Sequence, residues 1–223
     1  MCGRFTLTTP LSQLKQQFEA EGTIEHTASY NIAPSQDVVV VKHENDSNCL
    51  LLMRWGLIPA WLRQEDISSK WINARAETIT EKPLFSRLFK SRRCLIPSDG
   101  FYEWQQQGGN KQPFYIHKKS GEPFAFAGLW DQWRSIDGKV IESCTIITTD
   151  ANDDIRPIHS RMPAILAKSQ YQEWLQASKP ESLLLSMLQP YNAHDLEAYP
   201  VSKLVNKPSN NAIDCIQPIA AKD

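Results

Sequence analysis

Apolar residues at Leu11, Leu14 and Phe18 recur at helical spacing behind Thr9-Pro10, which predicts a short capped helix ending near Gly22. The pattern then changes. Residues 37–42 and 49–55 are apolar, β-prone runs around a polar turn at 43–48, and they predict a hairpin. Residues 56–70 read as a loop with Pro59 and two charges, Glu65 and Asp66. Thr80 is placed to cap a second short helix carrying Leu84, Phe85, Leu88 and Phe89. Strands are expected at 93–96, 101–106, 113–117, 124–130 and 143–149, with turn chemistry at Gly108-Gly109-Asn110 and Asp137-Gly138-Lys139. Residues 169–177 and 181–188 are expected to be helical, with short strands near 162–166 and 198–202.

Many short strands, few helices and no alternating βα pattern predict an α+β fold with an antiparallel β-sheet or barrel core and flanking short helices. No low-complexity linker or repeat interrupts it, so a single domain over 1–223 is expected. A chain of 223 residues can bury a substantial core, and its 41% hydrophobic and 22% charged content is ordinary for a globular protein. No apolar run approaches the roughly 20 residues needed to cross a bilayer. No basic segment followed by an apolar one opens the chain, so neither a membrane partner nor a signal peptide is expected. No dimerising heptad is present, and a monomer is expected. There is no G-x-G-x-x-G or P-loop pattern, so no nucleotide cofactor is expected.

The net charge of −1 means that a nucleic-acid site has to be a local patch. The run 82–98 is a candidate, holding Lys82, Arg87, Lys90, Arg92 and Arg93 and no acid before Ser98; a solvated helix end is the plain alternative. The five cysteines, Cys2, Cys49, Cys94, Cys144 and Cys215, are scattered, without a CxxC pair or Cys/His cluster, so no metal site is expected. They fit a reduced, cytoplasmic protein, the last four serving as buried small hydrophobes.

Cys2 has a further reading. Cytosolic processing removes an initiator Met before a small residue, and Cys is small. The mature chain would then begin with a 1,2-aminothiol, whose amine and thiol (ordinary pKa values of about 7.7–8.0 and about 8.5) are both partly active near neutrality. Such a group condenses with an aldehyde to an imine and closes to a thiazolidine. The bland alternative is a small residue near an edge strand.

Three other segments are dense in reactive groups: Asn73-Ala74-Arg75-Ala76-Glu77-Thr78, Ser98-Asp99-Gly100-Phe101-Tyr102-Glu103-Trp104 and His159-Ser160-Arg161-Met162-Pro163. Strand alternation places Asn73, Arg75 and Glu77 on one face. It also sets Phe101 and Glu103 against Tyr102 and Trp104. Glu103 is either half of a structural ion pair or an acid in an apolar wall, whose raised pKa would suit proton transfer. His159 is either a satisfied structural histidine or a proton shuttle. Asn73 can cap a turn, and Arg75 and Arg161 can tie loops to carboxylates. Aromatics beside arginines, such as Trp61 and Trp104, are also what single-strand binding uses: bases stack on rings while guanidinium groups hold phosphates.

Taken together these segments are similar to the SOS-response-associated peptidase (SRAP) family, over nearly the whole chain from Cys2 to about Pro218. The resemblance rests on Cys2-Gly3-Arg4-Phe5, Tyr30-Asn31-Ile32-Ala33-Pro34, Trp55-Gly56-Leu57-Ile58-Pro59, the Asn73, Gly100 and His159 segments, and Val201-Ser202 through Val205-Asn206. It implies a sensor of abasic sites in single-stranded DNA in which Cys2, exposed by loss of Met1, forms a thiazolidine with the ring-opened sugar. Asn73, Glu103 and His159 match the family's active-site positions. Arg4, Arg75 and Arg161 match positions that hold the DNA backbone. The resemblance also implies thiol autopeptidase and abasic-site lyase activities, no cofactor, and a DNA-associated location. The region after Pro59 varies among relatives: some carry a second aromatic immediately after the tryptophan, whereas here Trp61 precedes Leu62.

Two other readings use the same residues differently. A thiol-dependent autopeptidase would use Cys2 as nucleophile, Glu103 or His159 as base and Asn73 as oxyanion donor. A non-covalent DNA-binding module would leave Cys2 incidental.

Overall fold

The computed structural model describes residues 2–62, 71–191 and 194–219. The expected charges Glu65 and Asp66 lie outside them. Strand β1 (Phe5–Leu7) leads into helix α1 (Leu11–Phe18), then β2 (Ala20–Glu21) and β3 (Ser29–Ile32). The helix buries Leu14 and Phe18 and stops four residues short of Gly22, because Glu19 turns left-handed at φ 49°. The expected hairpin is β4 (Asp37–Glu44) and β5 (Ser47–Trp55). Its turn is only Asn45-Asp46, both at positive φ, the backbone that matches strand twist and that Asn and Asp tolerate. After β6 (Asn73–Arg75) comes α2 (Pro83–Ser91), which begins at Pro83 and not at Thr80.

The strand-rich half follows as read: β7 (Arg93–Ser98), β8 (Gly100–Gln107), β9 (Asn110–Lys118), β10 (Phe124–Arg134) and β11 (Val140–Asp150). Short β12 (Arg161–Pro163) and β13 (Ile165–Leu166), α3 (Tyr171–Leu175), α4 (Glu181–Ser186) and β14 (Leu196–Pro200) come next. Two 3₁₀ turns, Lys203–Asn206 and Ile213–Cys215, lie in a C-terminal strap. No helix of the described residues is long and apolar enough to cross a membrane.

Strands β5, β4, β7, β10 and β11 pair antiparallel in that order, and β11 returns to β5 in parallel through Ser143 opposite Arg54 and Cys144 opposite Trp55. The ring closes, so these five strands form a barrel without free edges. A second sheet, ordered β14-β9-β8-β1-β3, lies against it. Phe5 and Phe101 of the second sheet meet Phe126 of the barrel edge-to-face, at ring distances of 5.7 and 6.0 Å, and Phe5 reaches Trp55 at 5.2 Å. The opposite face of that sheet packs Tyr102 and Tyr115 on Val201, Val205 and Cys215 of the strap. The alternation expected in β8 thus divides two cores, with Phe101 in the larger and Tyr102 in the smaller.

Two features fix where β8 starts. A Cβ on Gly100 would lie 2.5 Å from the Tyr115 ring, so only glycine fits. The Asp99 carboxylate accepts from the backbone amides and hydroxyls of Thr8 and Thr9, which pins the end of β1 to the start of β8.

The basic run is largely consumed by the fold. Arg93 is 3% exposed and donates to the carbonyls of Phe89, Trp174, Gln176 and Ala177. Arg87 and Arg92 pair with the buried carboxylate of Asp131 at 3.0 and 3.1 Å. Burial pushes the Arg93 pKa down to about 10, which still leaves it charged at neutral pH. Arg93→Met strips donors from four carbonyls at once, so unfolding in urea should show a loss of about 3 kcal/mol or more. A loss below about 1 kcal/mol would mean that those carbonyls find other donors.

Candidate active site

Cys2 lies three residues ahead of the start of β1, an interior strand between β8 and β3, so the edge-strand reading does not hold. The residue is 0% exposed and belongs to the main core. Its carbonyl accepts a 2.8 Å hydrogen bond from Asn73 Nδ2. Asn73 reaches it because β6 pairs in parallel with β11, Asn73 opposite Ile146. The other amide atom, Asn73 Oδ1, is buried with no hydrogen-bond partner among the described residues. It is therefore an acceptor available to a group brought next to Cys2.

Glu103 projects from β8 on the same face as Phe101 and is 2% exposed. Burial pushes its carboxyl up to about 7, so acid and carboxylate coexist near neutrality. Burial likewise raises the Cys2 thiol, and the neighbouring Glu103 charge raises it further, so the thiol is protonated at neutral pH. His159 Nε2 lies 3.9 Å from Glu103 Oε2, an electrostatic contact longer than a hydrogen bond. Burial lowers the imidazole below 6.5, which makes it neutral at pH 7. Its Nδ1 lies 2.9 Å from the Arg161 amide nitrogen and 3.1 Å from the Arg161 carbonyl oxygen, which fixes the ring with Nε2 towards Glu103. Cys2, Asn73, Glu103 and His159 therefore meet in the crevice between the two sheets. A protonated thiol, a carboxyl titrating near 7 and a neutral imidazole can pass protons among themselves and to a substrate.

The arginines diverge from this picture. Arg161 is bound by Glu77 and Asp150, with contacts of 2.6 and 2.7 Å from Nη1 and 3.0 Å from Nη2 to Glu77. Glu77 does not continue the strand face of Asn73 and Arg75: β6 ends at Arg75, and Glu77 lies in a 3₁₀ turn, Ala76–Thr78, that faces Arg161. Arg75 itself is exposed. Arg4 sends Nη1 to Asn31 Oδ1 at 2.7 Å and to the Val205 carbonyl at 2.6 Å, which ties β1 to the strap. Trp104 lies on that side too, 6.0 Å from the Arg4 guanidinium and bonded through Nε1 to Asn206. Trp61 is 63% exposed in the loop after β5, which Asp131 holds through the Ala60 amide. Cys94, Cys144 and Cys215 are buried as expected, whereas Cys49 is half-buried.

Asn31, which the sequence marks only as part of the Tyr30–Pro34 segment, organises this region. Its Nδ2 donates to the carbonyls of Val205, Lys207 and Asn210. The available signal was the Tyr30-Asn31-Ile32-Ala33-Pro34 segment; the bonding pattern depends on a strap more than 170 residues away.

The chain is similar to known proteins over nearly its whole length. A family model described as SOS response associated peptidase (SRAP) matches residues 1–208. The chain is 46% identical to "Abasic site processing protein YoaM" of Bacillus subtilis (strain 168), over 97% of each chain. It is 35% identical to "Abasic site processing protein HMCES" of Xenopus tropicalis, over 87% of this chain and 67% of that one. A crystal structure of a protein from Bacteroides thetaiotaomicron superposes with a TM-score of 0.90 at 28% identity, covering 98% of this chain and 100% of that one. One from Bordetella bronchiseptica gives 0.78 at 29% identity, covering 90% and 100%.

Proposed function

We propose, on the premise that the chain belongs to the SOS response associated peptidase (SRAP) family, that it processes abasic sites in DNA by capturing the sugar aldehyde of a single strand on Cys2. One observation carries this reading: a buried carboxyl titrating near 7 lies beside the Cys2 thiol and faces a neutral imidazole. Relatives named abasic site processing proteins support the substrate.

While Met1 is attached the Cys2 nitrogen is an amide, so its removal comes first. His159 exchanges a proton with the closed hemiacetal and opens it to the aldehyde. The Cys2 amine adds to C1′, and loss of one water leaves an iminium. The thiol then gives its proton to the Glu103 carboxylate, and the sulfur adds to the iminium carbon. The product is a thiazolidine, formed with net loss of one water. In reverse, protonated Glu103 returns the proton to the departing sulfur. Asn73 holds the Cys2 carbonyl, and its Oδ1 receives an amine or sugar N–H or O–H. The iminium also acidifies the neighbouring sugar proton, which accounts for a lyase side reaction.

Mass spectrometry of the protein before and after incubation with an abasic oligonucleotide tests this reading. The expected result is loss of Met1, then a mass increase equal to the oligonucleotide minus one water, localised to the peptide beginning at Cys2. An adduct on any other residue, or full adduct formation with Met1 retained, would overturn it.

The family description favours a second activity, removal of residues preceding Cys2 by the same thiol with Glu103 as base. Extra residues placed before Cys2 should then be lost from wild-type protein on incubation and persist in the Cys2→Ala variant.

A further inference from the structure

We infer that the groove between the far end of the β8–β9 hairpin and the C-terminal strap is a subsite for the nucleotides flanking the lesion. The inference rests on the single-stranded DNA reading for the identity of its ligand. The groove has a volume of about 780 Å³. Gln107, Asn110, Gln112 and Phe114 line its hairpin wall, Lys111 stands at that wall's end, and Lys203 lies across from it on the strap.

Its position follows from the ladder register. Phe114 is directly opposite Glu103, Gln112 opposite Gln105, and Asn110 opposite Gln107. Cross-strand partners share a face, so Asn110, Gln112 and Phe114 continue the face that carries Glu103, whereas Lys111, opposite Gln106, stands on the other face at the exposed end of the hairpin. Gln105 also donates to the Pro157 carbonyl at 2.9 Å, which joins the hairpin to the loop bearing His159. Lys111 is close enough to His159 for its charge to help lower the imidazole pKa, with burial the larger cause.

The chemistry of the lining suits one class of ligand. Two exposed lysines, amide side chains and an aromatic ring line the groove, and among the described residues no carboxylate does. Neither Lys111 nor Lys203 is in an ion pair among the described residues, in contrast to Arg161 with its two carboxylates. Phosphates between the lysines gain attraction that nothing in the protein already satisfies. The Phe114 ring offers a stacking surface to a base regardless of its identity. The electrostatic grip on the flanking strand thus shifts from the internally bound Arg4 and Arg161 to this groove.

The test measures binding of an intact single-stranded oligothymidylate across a range of NaCl concentrations, using the full chain, the Lys111→Ala/Lys203→Ala double variant and, as a control, Lys168→Ala. Loss of two phosphate contacts should reduce the slope of log K against log salt by about 1.4, at roughly 0.7 per single-strand phosphate. Lys168, exposed on a distant 3₁₀ turn, should leave it unchanged. With an abasic strand, adding nucleotides on one side of the lesion should speed wild-type crosslinking at sub-saturating DNA, and the double variant should lose that gain. An unchanged slope, or an equal gain in both proteins, overturns the groove. A lysine-dependent slope in a wild-type protein that forms no adduct would instead overturn the aminothiol chemistry and leave the groove standing.

Discussion

Cys2→Ala should lose the denaturant-stable adduct with an abasic single strand altogether, while retaining non-covalent binding. Provided that processing still removes Met1 from this variant, its amine remains and an imine still forms. No sulfur is present to close the ring, and the imine hydrolyses or proceeds to strand cleavage. Cys2→Ser should behave similarly, with imine-dependent cleavage and no lasting crosslink, because a hydroxyl is a far weaker nucleophile than a thiolate. The structure sharpens this expectation. Cys2 is fully buried, and its thiol is held protonated by burial and by Glu103, so reactivity arises only with a base in contact. A denaturing gel of each variant with an abasic oligonucleotide measures it. A stable band persisting in Cys2→Ala would remove the thiol from the mechanism.

Glu103→Gln should slow adduct formation by about 10²-fold or more, the usual range for a general acid–base group, and should abolish a pH dependence centred near 7. The sign is set by the protonation state each direction needs. Ring closure needs the carboxylate, so the wild-type forward rate should rise as pH increases through about 7. Ring opening needs the acid, so adduct reversal should slow over the same interval. Single-turnover rates between pH 5.5 and 8.5 resolve both limbs. Retention of the wild-type limb in Glu103→Gln would assign the titration elsewhere.

The same group links function to stability. The folded-state pKa of Glu103, about 7, lies above its ordinary 4.5. The native state therefore holds the proton more tightly than the unfolded chain. This contribution is fully present below about pH 4.5 and is lost as pH rises through about 7. Glutamine mimics the protonated form, so Glu103→Gln should melt above wild type at pH 8, by about 3 kcal/mol for 2.5 pH units, and close to it at pH 4. A catalytically impaired but more stable variant is the expected outcome of a buried carboxyl kept for its proton.

Much of the framework was legible because it depends on local periodicity. Alternation in Phe101-Tyr102-Glu103-Trp104 separated two faces, and the structure places a different core on each. The polar break between residues 42 and 49 announced the hairpin, although the two-residue turn is tighter than its composition required. The reactive residues themselves were visible as types in short segments. Less visible was what each arginine does. Arg4, Arg93 and Arg161 read alike as cations, yet one ties a strap, one satisfies four carbonyls and one is bound by two carboxylates. Each of these roles is made by partners far along the chain, and charge alone does not reveal them.

Sequence by itself determined the strand-rich class and the short segments in which reactive residue types gather, Cys2 among them, since these depend on residue identity and neighbour spacing. Tertiary structure alone decided that Asn73 reaches the Cys2 carbonyl, that Glu103 and His159 face one another, and that Lys111 and Lys203 line one groove at the end of the β8–β9 hairpin. The physical reason is that barrel closure between β11 and β5, and the parallel docking of β6, bring residues 71 and 56 positions apart into contact. Burial in the resulting crevice then sets the proton affinities that make an ordinary carboxyl and thiol useful.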